Sequence, residues 1–479
     1  TLANADATTL AGTNQASSLT VDAGGPVTFG AATSDSTAVT NDLIVQGVGG
    51  SGAAGGAVTQ VGTLSVGGTT SIDAGARDIT LQGANTFAGN VALTGDDVAL
   101  ATGTGDLSSS GTVSGNLTET SAGAITQGGA LSVTGDSMLT ANGGVGAITL
   151  SNAANALAGP ITLAGGAVTL ANADATTLAG TNKVGSLTLD AGGAVTFGAT
   201  SSDSNTVTND LIVQGVGGSG ATGGAVSEVG ALKVGGTTSI DAGTHDITLQ
   251  GTNTFGGDVT FIGHNVALTT GSSLTSSGAA SGTLTEIAKG PSSNLNIGTL
   301  SADGDVLLIA GSSILGAAPQ ATLTANDVEL RYGIENPNAQ LSGKSGSSQQ
   351  LGVTAATGSQ VTLTVWAPQG SPGAGTVLRQ GTSNFQLTQN DFPTGLPSLV
   401  AALYGAPYGT SSAEIEAQLS TSLSIATSSS FQASPTLSTQ LADASTRLGK
   451  SVLYIDWGSY NPNVRLFGTL NPAICLPAD

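Results

Sequence analysis

The sequence predicts an all-β fold, a parallel β-helix (β-solenoid) of about 19 residues per coil, followed by a small α+β C-terminal domain or cap. Three observations predict this fold. A long segment occurs twice, short apolar-x-apolar triplets recur at a nearly constant spacing, and glycine and small polar residues separate the triplets. One coil cannot bury its own apolar side, so coils of this kind must stack, at about 4.8 Å per coil.

The duplicated segment covers residues 1–119 and 169–286. Thr1–Leu10 returns as Thr169–Leu178, and about three quarters of the first 100 aligned positions are identical. A repeat of this length is not itself a coil, so the finer period inside it decides the fold.

The triplets mark very short strands, because alternate residues of a strand point to opposite faces. The interval from Ile79 to Val98 equals that from Ile72 to Val91, and we interpret this interval as one coil. Most apolar triplet positions are unchanged between the copies, whereas several charged positions differ. We therefore predict an inward core ladder of Ile72, Ile79, Leu81, Val91, Val98 and Leu100 in the first copy and Ile240, Ile247, Leu249, Val259, Val266 and Leu268 in the second.

Composition excludes several classes of protein. The 479 residues include 73 Gly, only 9% are charged, and the mean hydropathy is +0.21. Disorder needs lower hydrophobicity and more charge, and collagen needs a strict Gly-X-Y period. A net charge of −21 argues against nucleic-acid binding through a basic patch. A single cysteine gives no intrachain disulfide framework, and no apolar run is long enough for a transmembrane helix.

The sequence divides into a solenoid at 1–385 and a C-terminal cap or assembly domain at 386–479. Roughly 20 coils would form a rod on the order of 95 Å long. The chain begins in mid-repeat and shows no signal peptide, so we expect a processed or partial segment of a longer protein.

The C-terminal region has a different composition from the coils. Helix-start signals at Ser411 and Ser434 predict two helices, and residues 452–457 predict a strand. Solenoids need caps over their last coil, so we expect this region to cover that coil and to meet another molecule end to end. The candidate assembly or anchor residues are Tyr454, Trp457, Tyr460, Phe467 and Cys475.

The sequence Gly47-Val48-Gly49-Gly50-Ser51-Gly52 matches a dinucleotide-binding fingerprint and follows a strand. That fingerprint requires a helix next, within a βαβ unit. Here the following residues, Ala53–Val58, lead into another predicted strand, so we interpret the motif as a Gly-rich loop between coils.

Two histidines, His245 and His264, replace Arg77 and Asp96 of the first copy. A general base or metal site built on them would exist in one copy only, so we interpret them as surface substitutions. Four aspartate pairs are shared by both copies, and aspartate in such places satisfies turn backbone groups; they are Asp22/Asp190, Asp42/Asp210, Asp73/Asp241 and Asp78/Asp246. Calcium binding at these carboxylates is the alternative, although no Gly-Gly-x-Gly-x-Asp array accompanies them; no other cofactor is predicted.

Parallel β-helices also include polysaccharide lyases and hydrolases, which need clustered carboxylates or a basic residue in one groove. The adjacent pair Asp96-Asp97 is lost in the second copy, and before Lys289 the only Lys and Arg residues are Arg77, Lys183 and Lys233. The sequence therefore favours a protein that is not an enzyme and has no catalytic residues.

The Gly/Ala/Thr/Asn-rich coils, as in Ser71–Leu81, resemble the filamentous haemagglutinin class, large bacterial exoproteins of two-partner secretion systems. The resemblance covers about residues 1–380 and is one of style and period. It implies a right-handed parallel β-helix, exported across the outer membrane and acting in adhesion or biofilm formation. Some relatives are held at the cell by a C-terminal pair of cysteines, where this chain has Cys475 alone.

These observations lead to two hypotheses of different classes. The first is a non-enzymatic, extracellular or bacterial cell-surface β-solenoid, an adhesin stalk or filament subunit. Its partners would be other copies, joined end to end, a host or abiotic surface, or glycans. The second is a carbohydrate-active β-helix enzyme.

Overall fold

The structure is a computed structural model, and it describes residues 1–50, 52–218, 220–317, 321–333, 335 and 351–355. Beyond these it describes the strand backbones at 361–366, 377–381, 385–387, 452–455 and 465–468. The fold is an all-β parallel β-solenoid of about 15 turns with about 21 residues per turn. The predicted all-β parallel β-solenoid is therefore confirmed, whereas the predicted coil was too short and the predicted number of coils was too high. The predicted α+β character of the C-terminal part falls on residues that lie mostly outside the described ones.

The chain forms two compact units, one of Thr1–Thr270 with Gly278–Ser281 and one of Gly271–Ser277 with Gly282–Asp479. The strands before residue 271 are β1 (Leu2–Asn4), β2 (Thr8–Leu10), β3 (Thr13–Ala16), β4 (Leu19–Ala23), β5 (Val27–Phe29), β6 (Ser36–Val39), β7 (Leu43–Gln46), β8 (Val58–Gln60), β9 (Thr63–Val66), β10 (Thr70–Asp73), β11 (Ile79–Phe87), β12 (Val91–Gly95), β13 (Val98–Thr102), β14 (Leu107–Val113), β15 (Leu117–Ser121), β16 (Ile125–Val133), β17 (Ser137–Ala141), β18 (Ile148–Leu150), β19 (Ala156–Leu157), β20 (Ile161–Asn172), β21 (Thr176–Leu178), β22 (Thr181–Ala191), β23 (Val195–Phe197), β24 (Ser204–Val207), β25 (Leu211–Gln214), β26 (Val226–Glu228), β27 (Ala231–Val234), β28 (Thr238–Asp241), β29 (Ile247–Phe255), β30 (Asp258–Gly263) and β31 (Val266–Thr270).

The later strands are β32 (Leu274–Ala280), β33 (Leu284–Ala288), β34 (Leu295–Ala302), β35 (Val306–Ala310), β36 (Ile314–Gly316), β37 (Ala321–Ala325), β38 (Asp327–Arg331), β39 (Leu351–Ala355), β40 (Val361–Trp366), β41 (Val377–Gly381), β42 (Phe385–Leu387), β43 (Val452–Ile455) and β44 (Arg465–Gly468). Among the described residues, the one helical element is a 3-10 turn at Asn142–Gly144. No described helix is long and apolar enough to cross a membrane.

Within the coils, parallel pairing joins a strand to the equivalent strands of the coils before and after it. Ile79 pairs with Val58 of the preceding coil and with Val98 of the next, which in turn pairs with Leu117. Because strand residues alternate between faces, these apolar side chains all point inward, and each closes the apolar surface of the coil below. This stack is the hydrophobic core.

The corners between strands are built from glycine because neighbouring backbones come too close for a side chain. A Cβ atom at Gly55 would lie 1.8 Å from the carbonyl oxygen of Gly24 in the coil below. The equivalent pair in the second copy, Gly223 over Gly192, is as tight, at 1.7 Å. The high glycine content of the sequence is thus a packing requirement of stacked corners.

Coil length varies because extra residues are accommodated at loops and bulges, while the strands stay in register. Val27 pairs with Val58 and Ile79 pairs with Val98, so the coil that starts at Val27 is much the longer of the two. Ile72 pairs with Leu93 rather than with Val91. The interval from Ile72 to Val91 is therefore not a stacking distance.

Within the second unit, the strands pair in parallel as far as β39 and β40, and then the pairing changes direction. Strand β41 pairs antiparallel with β40, and β42 pairs antiparallel with β39. Strands β43 and β44 form a separate antiparallel pair, so the strand predicted from residue 452 is present in Val452–Ile455. Outside the described residues lie the two predicted helices and Trp457, Tyr460 and Cys475, together with the side chains of Tyr454 and Phe467.

Candidate functional site

The predicted core ladder lies inside the coils. All twelve residues are at most 2% exposed, and four of the expected stacked pairs are in register: Ile79 on Val98, Leu81 on Leu100, Ile247 on Val266 and Leu249 on Leu268. Ile72 instead stacks on Leu93, and its duplicate Ile240 stacks on Phe261. These residues form the scaffold on which every other group is placed.

Three of the four shared aspartate pairs hold the turn backbone, and the two copies use them in the same way. Asp42 Oδ1 accepts hydrogen bonds from the backbone N–H and the hydroxyl of Thr69, both at 2.8 Å, and Asp210 does the same with Thr237. These bonds, the backbone one first, lower the pKa of Asp42 and of Asp210 below the ordinary value. Asp73, Asp241, Asp78 and Asp246 also accept backbone N–H groups.

Asp22 and its duplicate Asp190 make a different contact. The side-chain amide of Gln46 donates to Asp22 Oδ1 at 2.8 Å, and Gln214 donates to Asp190 at the same distance. Within the described residues, no three His, Cys, Asp or Glu side chains converge as a metal site requires.

The Gly-rich loop that resembles a nucleotide fingerprint joins two strands. It leaves β7, turns back through a hydrogen bond from the Gly47 N–H to the Gly52 carbonyl at 2.7 Å, and runs into β8. Gly49 and Gly50 have φ angles of +89° and +75°, a conformation that favours glycine. The loop therefore lacks the following helix that would bind a pyrophosphate.

The two histidines lie on successive coils. The His264 N–H donates to the His245 carbonyl at 2.8 Å, as Asp96 does to Arg77 at 2.9 Å in the first copy. His245 Nδ1 is 3.2 Å from the Ala242 carbonyl oxygen, and His264 Nδ1 is 3.1 Å from Ser281 Oγ. The structure thus brings together two residues that the sequence analysis treated as separate substitutions.

A pair of glutamates occupies inward positions that the sequence analysis missed. Glu119 on β15 and Glu286 on β33 are 0% exposed, and they are equivalent residues of the two copies. Leu117-Thr118-Glu119 shows the signal, because the alternation that turns Leu117 inward also turns Glu119 inward. Both carboxyl groups therefore lie among apolar side chains, where the charged form is costly.

Each buried glutamate has a serine beside it, and its pKa is far above the ordinary value. Burial raises the pKa of Glu119 and that of Glu286 to about 7. Ser276 Oγ donates to Glu286 Oε2 at 2.9 Å, while Glu286 Oε1 has no partner. Ser109 sits close enough to Glu119 to offset part of the rise in its pKa, but the contact lacks the geometry of a hydrogen bond.

A second feature that the sequence analysis missed is a buried asparagine whose side-chain amide contacts a polar side chain of the coil below. We call such a pair a bracket. Asn85 is fully buried; its amide donates to the carbonyls of Leu81 and Ala101, and its oxygen accepts the Leu64 N–H. Gln60 contacts both ends of this amide. The same arrangement recurs with Asn155 bracketed by Gln127 and with Asn253 bracketed by Glu228.

The third bracket differs from the other two because a carboxyl group replaces the glutamine amide. Glu228 accepts from the Asn253 amide at 2.8 Å and from the Gly251 N–H, but its Oε2 is buried without a partner. Gln60, at the equivalent position, donates to the Gly62 carbonyl at 2.6 Å. Desolvation raises the pKa of Glu228, and the hydrogen bonds from Gly251 and Asn253 offset part of the rise. Only the protonated acid could donate a hydrogen bond as Gln60 does.

Three segments of the chain, residues 30–94, 95–164 and 198–262, match a family model described as repeats of unknown function (DUF5649). Each matched segment contains one of the asparagine brackets, so the bracket is a shared structural feature of the matched unit. No curated protein and no solved structure matches the chain.

Proposed function

We propose that the chain is a non-enzymatic structural and adhesive protein of the bacterial cell surface or the extracellular space. In this role it is a β-solenoid stalk or surface-filament subunit that mediates attachment or biofilm formation. The observation that carries the proposal is that inward and outward positions of each coil have different roles. Most inward positions are the same in both copies and form an apolar stack, whereas outward polar groups bond along the stack.

Those outward bonds suit a stiff spacer. The Asn116 N–H donates to Asp97 Oδ1 of the coil below, and Asn116 Oδ1 accepts the Asp136 N–H of the coil above, both at 2.8 Å. Side chains that link successive coils add to the backbone pairing and resist separation of the coils. The described exterior carboxylates of the shared aspartate pairs are likewise engaged in holding turns.

The apolar and aromatic side chains of the first unit also favour a structural role over sugar processing. Its five phenylalanines, Phe29, Phe87, Phe197, Phe255 and Phe261, are at most 5% exposed. A groove that binds a sugar chain for cleavage commonly presents an aromatic face to the sugar ring. The resemblance to filamentous haemagglutinins in style and period supports the same proposal.

Two assays test this proposal, one of cell attachment and one of glycan cleavage. Cells that display the chain should attach to surfaces more than cells that display Ile247→Asp, in which the coil stack is broken. The purified chain should release no new reducing ends or unsaturated sugars from a panel of acidic and neutral glycans. Turnover that disappears when Asp96 and Asp97 are replaced by asparagine would instead establish the carbohydrate-active enzyme.

A further inference from the structure

Lysine is rare in the first unit, and its two lysines lie in one line. The sequence before residue 271 contains only Arg77, Lys183 and Lys233 as Lys or Arg residues. Lys183 pairs with Thr206, and Thr206 pairs with Lys233, so the three residues occupy one outward position on three successive coils. We call Lys183, Thr206 and Lys233 the lysine column.

Lys183 and Lys233 are exposed, and neither has an ion-pair partner among the described residues. At one coil per step, their Cα atoms are about 10 Å apart. Asp203, which precedes the strand of Thr206, directs its carboxylate to the N–H groups of Ala199 and Thr200 instead.

The lysine column belongs to the second copy alone. The first copy carries Gln15, Ala38 and Ser65 at the equivalent positions, which pair in the same register. Two independent positions have thus become lysine in one column of one copy. A single change of this kind would be unremarkable on a surface, but two at matching places point to a common partner.

A line of acidic residues with the same spacing begins in the first copy and ends just beyond it, at Asp136. Asp97, Asn116 and Asp136 each precede an inward strand residue at the same corner of three successive coils. Asp97 is exposed and uses Oδ1 for the N–H and amide of Asn116, which leaves Oδ2 to solvent. We call Asp97, Asn116 and Asp136 the acidic column; in the second copy Asn265 and Thr283 replace its first two members.

The two columns carry opposite charges and have the same order and spacing of charged residues. One reads Lys–Thr–Lys and the other reads Asp–Asn–Asp, each with one coil between its charged members. Asp78, one coil below Asp97, extends the acidic side and accepts the Asp97 N–H. Both spacings come from the same coil height, so they remain commensurate whichever way the two stacks run. A hydroxyl then faces an amide between two ammonium–carboxylate pairs.

We propose that the lysine column of one molecule binds the acidic column of a second copy of this chain, so that the solenoids associate side by side. This contact is heterologous: in a pair, one molecule keeps its acidic column unused and the other keeps its lysine column unused, so further copies can add. Exposed ion pairs are individually weak and salt-sensitive, so the association is reversible and needs high local protein concentration, as on a crowded surface.

Carbodiimide coupling tests the contact directly, because it joins a carboxylate to an amine only where the two touch. A mixture of ¹⁴N- and ¹⁵N-labelled chains at low salt should give mixed-label products, with amide links from Lys183 or Lys233 to Asp97 or Asp136. Sedimentation of the untreated protein should show association that salt reverses. The His245→Arg/His264→Asp variant, which also restores first-copy residues, is the matched control and should couple normally.

Complementation separates a specific contact from general charge attraction. The variant Lys183→Gln/Lys233→Ser keeps only the acidic column, and Asp97→Asn/Asp136→Asn keeps only the lysine column. Each should be monomeric alone, and a mixture should form heterodimers but nothing larger. These lysine changes should fold, since the first copy carries Gln15 and Ser65 at the same places.

Several results would overturn the contact. These are coupling that persists in the lysine variant, links to other carboxylates, or a monomer without intermolecular links at high concentration. None of them would affect the proposed attachment role, because a monomeric stalk can attach cells; that role depends on the attachment and turnover assays.

Discussion

Residues 1–119 and residues 169–286 build coils with the same inward ladder, yet they differ at corners and at a few polar interior positions. Ile79 and Ile247 occupy equivalent buried positions, each paired with a valine of the next coil. In contrast, Asp97 has become Asn265 and Gln60 has become Glu228. The comparison shows which positions packing determines and which it leaves to charge and hydrogen bonding.

Even inside the stack, the constraint is on filled space rather than on residue identity. Leu93 is replaced by the larger Phe261, and Val113, two positions beyond the glycine that pairs with Leu93, is replaced by the smaller Ala280. Gly278 leaves room above Phe261, because a Cβ atom there would lie 2.3 Å from the Phe261 carbonyl oxygen. Volume is thus redistributed between neighbouring coils, which cores tolerate better than a net change.

The largest expected effect on stability comes from placing a charge in the core ladder that both copies share. Ile247→Asp places a carboxylate without a partner among apolar side chains and should lower the free energy of unfolding by about 3–5 kcal/mol. Ile79→Asp should cost the same amount, because the two positions are equivalent. Thermal or denaturant unfolding measures both.

The neighbouring position supplies the control for this pair of variants. Thr248 is exposed on the same strand, so Thr248→Asp should leave unfolding almost unchanged. If Ile247→Asp unfolds as the wild type does, the coil register described above is incorrect.

The next largest effect concerns the buried glutamates, which are the same in both copies. Their pKa rises from an ordinary 4.5 to about 7, so below pH 4.5 both folded and unfolded states are protonated and nothing is lost. Between these values only the unfolded state ionises, which lowers the free energy of unfolding by about 1.4 kcal/mol per pH unit and per glutamate. Stability should therefore fall as pH rises towards 7, by roughly 3 kcal/mol for each residue.

Glutamine replacements test this prediction, since they keep the shape and cannot ionise. Glu119→Gln and Glu286→Gln should each remove one part of the pH dependence and should stabilise the protein most at and above pH 7. Denaturant titrations at pH 5 and pH 8 measure the difference. An equal stability difference at the two pH values would show that folding does not raise the pKa of these two groups.

The surface aspartates act in the opposite direction. The lowered pKa of Asp42 and Asp210 contributes stability that is present above their ordinary value of 3.8 and is lost as pH falls through the folded pKa. Maximum stability is therefore expected in mild acid, above the range in which these aspartates protonate and below the range in which the glutamates ionise.

A smaller effect is expected at the bracket where the copies differ. Glu228→Gln should stabilise the second copy at neutral pH by on the order of 1 kcal/mol, because the amide can donate where the buried Oε2 cannot. The reciprocal change Gln60→Glu should destabilise the first copy by a similar amount. Changes of opposite sign in the free energy of unfolding of the two variants would support this difference between the copies, whereas changes of the same sign would contradict it.

The sequence predicted the strands and part of their register, and the failures have local causes. The expected interval holds from Ile79 to Val98, but the coil after Ile72 has a bulge between Leu81 and Asn85. The chain takes a longer path from Leu81 to Asn85 than the next coil takes from Leu100 to Thr102, so Ile72 stacks on Leu93 instead of Val91. Bulges shift the register without disturbing the apolar pattern, so spacing alone does not reveal them.

The candidate sites were less predictable, because they depend on which coils become neighbours. The inward position of Glu119 follows from strand alternation, but the proximity of Ser109 follows only from the fold. The lysine and acidic columns likewise combine residues that are far apart in sequence and meet only through register. From the sequence alone, each charged residue of the two columns is an isolated surface charge.

The smallest effect is expected where the copies exchange charged corner residues. Changing His245→Arg and His264→Asp, together with Asp96→His, exchanges residues that already occupy equivalent stacked corners in the two copies. Their backbone bonds are alike, 2.8 Å in one copy and 2.9 Å in the other, and neither side-chain pair is buried. Unfolding should therefore change by less than about 0.5 kcal/mol, and surface attachment should be unaffected. A loss of attachment, or of any glycan cleavage, in this variant would show that the corner residues act as a site in one copy and that the copies have diverged in function as well as in charge.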